Sequence, residues 1–220
     1  MICINLKTYL NNSGEKTKAI FNEIERFFHD FPQFKDNFAF CPNNFQLESI
    51  EKTNPNLNII AQNVDAIELG KTTGWVPAEL LNLIGVKYTL FNHSEHRIYD
   101  DRILEKIEFI NKFGINVIVC CENIDEALYI LKAKPYAIAY EPPELIGSDI
   151  SVSTQNPEII KKFVKLVQNV SLPYIGAGLT SAEDIKISTE LGSKGCIISK
   201  AFLDAGDKYS KLKEFALALE

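Results

Sequence analysis

Short, nearly continuous apolar runs alternate along this chain with stretches in which apolar residues return every three or four positions. The runs, at 2–7, 38–41, 57–62, 88–92, 116–121, 136–140, 174–176 and 195–199, are too short for helices and are apolar at both parities, which predicts strands covered on both faces. Between them each stretch carries one apolar stripe: Ile20/Phe21, Ile24, Phe27/Phe28 and Phe31 in the first, Ile103, Ile107 and Ile110 in the fourth, Ile159/Ile160, Phe163/Val164 and Val167 in the sixth. That period places one helix face on a core. Asn156-Pro157 fits an N-cap and first helical position, and Thr180-x-x-Glu183 fits a capping box. Eight strand–helix units predict a parallel (β/α)8 barrel, with a doubly wound open sheet as the competing architecture. Two connections, 63–77 and 141–156, are longer and less periodic, which marks them as functional or interfacial.

The 220 residues suit one domain over 1–220, and 46% hydrophobic with 24% charged residues is ordinary for a soluble globular chain. A net charge of −6 without any Lys/Arg block argues against nucleic-acid partners, so any anion specificity has to be local. Neither an export signal nor a run of the ~18–20 apolar residues needed to span a bilayer is visible, which predicts a cytoplasmic chain away from the membrane. Cys3, Cys41, Cys120, Cys121 and Cys196 lie inside apolar runs and lack paired C-x-x-C spacing, so they read as core thiols.

In a β/α barrel, chemistry collects at the C-terminal ends of the strands. The first strand ends Asn5-Leu6-Lys7, whose alternation puts Asn5 and Lys7 on one face. The fourth ends Asn92-His93-Ser94-Glu95, the sixth Tyr140-Glu141-Pro142-Pro143, the seventh Gly176-Ala177-Gly178 and the eighth Ser199-Lys200. Singly, a strand-end lysine reads as a surface cation, His93 as a hydrogen-bonded structural histidine and Glu141 as a loop cap. His93 and His96 lack a third ligand for a metal. Gly176-x-Gly178-x-x-Ser181 lacks the last glycine and the distant acid of a dinucleotide fingerprint.

Taken together, Asn5-x-Lys7, Asn92-His93-Ser94-Glu95 and Tyr140-Glu141-Pro142 resemble the triosephosphate isomerase family in order along the whole chain. Gln62-Asn63-Val64, Gly70-Lys71-Thr72-Thr73-Gly74 and Leu145-Ile146-Gly147 add to the match, and the short length resembles the compact archaeal branch. The resemblance implies a cofactor-free, metal-free isomerase of glycolysis and gluconeogenesis that interconverts dihydroxyacetone phosphate and glyceraldehyde 3-phosphate. Glu141 would be the base, His93 the electrophile and Lys7 the cation beside the enediolate, with Asn5 on the substrate oxygens and Glu95 orienting Lys7. Ile146, Gly147, Gly178, Ser199 and Lys200 would hold the phosphate, under a lid over 142–149. Thr72, Thr73 and Trp75 would enter a neighbouring subunit of a homodimer or homotetramer. Gly147-Ser148-Asp149, Lys200 and Ala201 depart from the smaller residues the family tends to carry. The alternatives are another sugar-phosphate isomerase or epimerase, and a barrel that binds a phosphate metabolite without turnover.

Overall fold

The computed structural model describes residues 1–143 and 155–219. Eight parallel strands, β1 (Ile2–Asn5), β2 (Phe38–Cys41), β3 (Asn58–Ala61), β4 (Tyr88–Phe91), β5 (Asn116–Cys121), β6 (Ala137–Tyr140), β7 (Leu172–Ile175) and β8 (Gly195–Ile198), pair in chain order. The ring closes where Ile2, Cys3 and Ile4 pair with Cys196, Ile197 and Ile198, which decides for the barrel over the open sheet. The surrounding helices are α1 (Glu15–Asp30), α2 (Leu47–Thr53), α3 (Ala78–Leu83), α4 (Ile103–Asn111), α5 (Ile124–Ile130), α6 (Pro157–Val167), α7 (Ala182–Glu190), α8 (Lys200–Leu203) and α9 (Lys208–Leu217). No described helix is long and apolar enough to cross a membrane.

Strand alternation divides the core in two. One parity packs outward on the helices: Ile2 and Ile4, Phe38 and Phe40, Val117 and Val119, Ile138 and Tyr140. The Phe38 and Phe40 rings meet Phe21, Phe27 and Phe28 of α1 edge-on. The other parity fills the barrel with Cys3, Ala39, Cys41, Ile60, Leu90, Ile118, Cys120, Ala137, Ala139, Tyr174 and Ile197. Small side chains dominate there because eight strands leave an interior only wide enough for side chains to fill. All five cysteines are buried, as core thiols should be.

Three expectations need correction. The runs ending at Lys7, Gln62, Asn92 and Ser199 overshoot their strands by one or two residues. At two of these ends the cause is visible: Lys7 (φ 50°) and Asn92 (φ 60°) are left-handed, and that conformation leaves the ladder. β7 starts at Leu172 and stops before Gly176, so it includes Pro173. Pro173 is tolerated because β8 has not begun beside it; the first β7–β8 pair is Tyr174 with Gly195. Finally, the box that starts α7 is one residue later than its sequence signal. Ser181 is the N-cap and Asp184 its partner, while the Thr180 N–H and hydroxyl both donate to Asp184 Oδ2. The Asn156 cap does form, its side chain accepting from Ile159 N ahead of Pro157.

Candidate active site

At the C-terminal mouth of the barrel a cavity of about 460 Å³ is lined by Asn5, Lys7, His93, Glu141, Gly178, Ser199 and Lys200. These are all the described residues expected to meet substrate. Ile146 and Gly147, with the Ser148-Asp149 departure and most of the expected lid, lie outside the described residues. Glu95 faces an adjoining cavity of about 760 Å³ that shares Asn5, Lys7 and His93 and is lined further by Trp75. Thr72 and Thr73 belong to the same long loop but line neither cavity.

Glu141 continues the inward parity of Ala137 and Ala139, so its carboxylate stands over the filled barrel. Its N–H donates to Cys121 O at 2.8 Å, extending the ladder by one residue. The residue is 2% exposed. Oε2 is buried and accepts no hydrogen bond from the described residues. Burial raises the Glu141 pKa above its ordinary value, against the opposing pull of His93, a hydrogen bond from the Cys120 thiol, and Lys7. A buried carboxylate oxygen left without a donor is costly to keep, which makes Glu141 a candidate for acid–base chemistry.

His93 faces it, with Nε2 3.8 Å from Glu141 Oε2, too far for a hydrogen bond. Nδ1 accepts the Glu95 N–H at 3.1 Å. The lone pair is therefore on Nδ1, and the N–H that the ring can offer the cavity is on Nε2. The same short turn thus sets both the direction of the ring and its tautomer.

Lys7 is held from three sides. Its N–H donates to Asn5 Oδ1 at 2.9 Å, its carbonyl accepts from Gln62 Nε2 at 3.0 Å, and Nζ pairs with Glu95 Oε1 at 2.5 Å. Glu95, expected to orient Lys7, is the carboxylate its ammonium pairs with. In the sequence Gln62 stands as a strand end and as part of the Gln62-Asn63-Val64 motif; its clamp on Lys7 depends on β3 lying next to β2 and has no local signal. In the sequence Gly176 is only the first residue of the Gly176-Ala177-Gly178 strand end. A Cβ there would come within 2.3 Å of Glu141 Oε1, so the glycine is what leaves room for the Glu141 carboxylate.

The comparisons with known proteins agree in extent and in kind. The family model described as triosephosphate isomerase matches residues 1–216. The triosephosphate isomerase of Methanothermus fervidus is 32% identical over 218 residues, covering 97% of this chain and 96% of the relative. Those of Methanocaldococcus jannaschii, 32% identical with 97% of each chain covered, and Thermoplasma volcanium, 31% with 96% of each, are similar over nearly the same span.

Proposed function

The chain belongs to the triosephosphate isomerase family, and from that premise we propose that Glu141, His93 and Lys7 interconvert dihydroxyacetone phosphate and glyceraldehyde 3-phosphate. One observation carries the assignment of roles. The buried Glu141 Oε2, bonded to none of the described residues, faces His93 Nε2 across a cavity that Lys7 also lines. Glu141 takes the proton from the carbon next to the carbonyl, and the bonding pair moves into a carbon–carbon double bond as the carbonyl π pair moves onto oxygen. The Nε2–H of His93 hydrogen-bonds that oxygen as charge develops, and the Lys7 ammonium offsets the enediolate and phosphate charge. His93 Nε2–H gives its proton to that oxygen and takes the proton of the neighbouring hydroxyl. Glu141 then returns its own proton to the former carbonyl carbon as the double-bond pair forms the new C–H bond and the pair on the deprotonated oxygen forms the new carbonyl, so atoms and charge balance over the cycle. Asn5, fixed against the Lys7 N–H, orients the substrate oxygens. Gly178, Ser199 and Lys200 line the phosphate end.

The setting that fits this reaction is glycolysis and gluconeogenesis in the cytoplasm. The working unit in this reading is a homo-oligomer, with Thr72, Thr73 and Trp75 of one copy entering the cavity beside Lys7 and His93 of the next. Trp75 at 56% and Phe45 at 100% exposure support that reading, since both border the adjoining cavity.

A coupled assay of glyceraldehyde 3-phosphate isomerisation on metal-free protein tests the function. The wild type should turn over, and Glu141→Gln should lose about 10²- to 10⁴-fold in kcat while still binding a substrate analogue. A wild type that binds triose phosphate without turnover would favour a metabolite-binding barrel. Near-wild-type turnover in Glu141→Gln would remove that residue from the mechanism.

A further inference from the structure

Behind the His93 turn lies a cluster of charged and amide side chains that no step above uses. Glu126, in the first turn of α5, accepts Asn92 Nδ2 at 3.0 Å and Arg97 Nη2 at 2.6 Å on Oε1, and Glu122 N at 2.8 Å on Oε2. Asn92 is tied further: its Nδ2 also donates to Cys120 O at 2.9 Å, its Oδ1 accepts Ile98 N at 2.9 Å, and its carbonyl accepts Arg97 Nη1 at 3.3 Å. The Arg97 and Glu126 side chains are only 13% and 19% exposed.

The geometry of β4 shows what this knot is for. Leu90 points into the barrel and Phe91 packs outward on the helices, so alternation would send residue 92 inward and residue 93 outward. Asn92 instead adopts φ 60°, and His93 lines the central cavity. A left-handed residue other than glycine is uncommon and costs energy unless its surroundings hold it. Cys120 O and Ile98 N hold the Asn92 amide from two sides, and Glu126 Oε1 ties it to Arg97, whose Nη1 also reaches the Asn92 carbonyl.

We infer that Glu126 is a positioning residue for the isomerisation: by binding Asn92 and Arg97 it fixes the left-handed turn that swings His93 from the helix side of β4 into the barrel mouth. The inference rests on His93 being the electrophile. The knot also reaches the base's own neighbourhood, because Cys120 O receives Asn92 while the next carbonyl, Cys121 O, receives Glu141 N.

Glu126→Gln tests it at nearly constant volume. Three N–H donors converge on the two Glu126 oxygens, and an amide offers one acceptor and turns an NH2 toward at least one of those donors. We expect kcat to fall about 10-fold or more, the scale of a sub-ångström misplacement, with KM within about twofold. Asn92→Gly is the second variant and carries the test if Glu126→Gln does not fold. Glycine takes φ near +60° without steric cost, so it removes the side-chain knot alone. Each variant is then combined with His93→Gln. A residue that acts through His93 should add no further loss on that background. The same fold-loss with and without His93 would mark a merely structural role and overturn the inference, as would wild-type kcat in either folded variant. Wild-type turnover in His93→Gln alone would sink the His93 assignment and the inference with it. Loss in His93→Gln together with full kcat in Glu126→Gln would overturn the inference and leave the assignment standing.

Discussion

Placing a methyl group at Gly176 should disable the base without touching it chemically. A Cβ at this position would lie 2.3 Å from Glu141 Oε1, 2.5 Å from Cγ and 2.8 Å from Cδ, whereas ordinary contact begins near 3.4 Å. Gly176 does not have a left-handed φ, so the backbone accepts alanine and the whole conflict falls on the carboxylate. Oε1 has to retreat by about 1.1 Å, the difference between 3.4 and 2.3 Å. Displacement on the scale of 1 Å costs roughly 10²-fold in an oriented proton transfer. Gly176→Ala should therefore lower kcat by about two orders of magnitude, and the overpacking should cost about 1–3 kcal/mol of stability. Steady-state kinetics in the coupled assay, run beside thermal unfolding, separates the two effects. A folded variant with kcat within about threefold of the wild type would refute the claim that Gly176 sets the position of the base.

Three further outcomes follow from the site. Because burial raises the Glu141 pKa, the wild type loses stability as pH rises from the unfolded carboxyl value, near 4.3, through the raised folded value. Glu141→Gln should accordingly unfold at a higher temperature than the wild type at pH 7 and show no advantage at pH 3, while the acid limb of wild-type kcat/KM should lie above the ordinary glutamate range; equal unfolding temperatures at pH 7 would contradict this. Lys200→Ala should raise KM more than it lowers kcat if, as proposed, this cavity-lining lysine meets the phosphate, with at most about 1.5–3 kcal/mol at stake, and inhibition by inorganic phosphate should weaken in parallel. Trp75 is the single tryptophan, so assembly should shift its emission to the blue and Trp75→Ala should weaken association; a fully active monomer at micromolar concentration would end the oligomer reading.

Much of this molecule is legible in the order of its residues. Apolar runs bounded by turn residues placed all eight strands, and Phe38–Cys41 and Asn116–Cys121 match to the residue. Period-2 alternation put Asn5 and Lys7 on one face, and both line the central cavity. The parity that fills the barrel with Ala137 and Ala139 also carries Glu141 inward. For Asn5, and for Glu141 one residue beyond β6 on the same ladder, the pattern works because side-chain direction along a strand is set by the residue's own backbone, whereas Lys7 reaches the same cavity from a left-handed turn beyond β1.

Where direction is set by other parts of the chain, the sequence is silent. His93 faces the cavity because Asn92 breaks the alternation, held by Glu126 from the next β/α unit. Gln62 reaches Lys7 across two strand ends. The room for Glu141 is made by a glycine on the next strand's end, and nothing near either residue announces the other. Such distances depend on the registers between strands and on the final pairing of β1 with β8. Residue types and their local phase fixed which groups could do the chemistry; closure of the barrel decided how near one another they stand, because only closure brings strand ends far apart in the chain to a common rim.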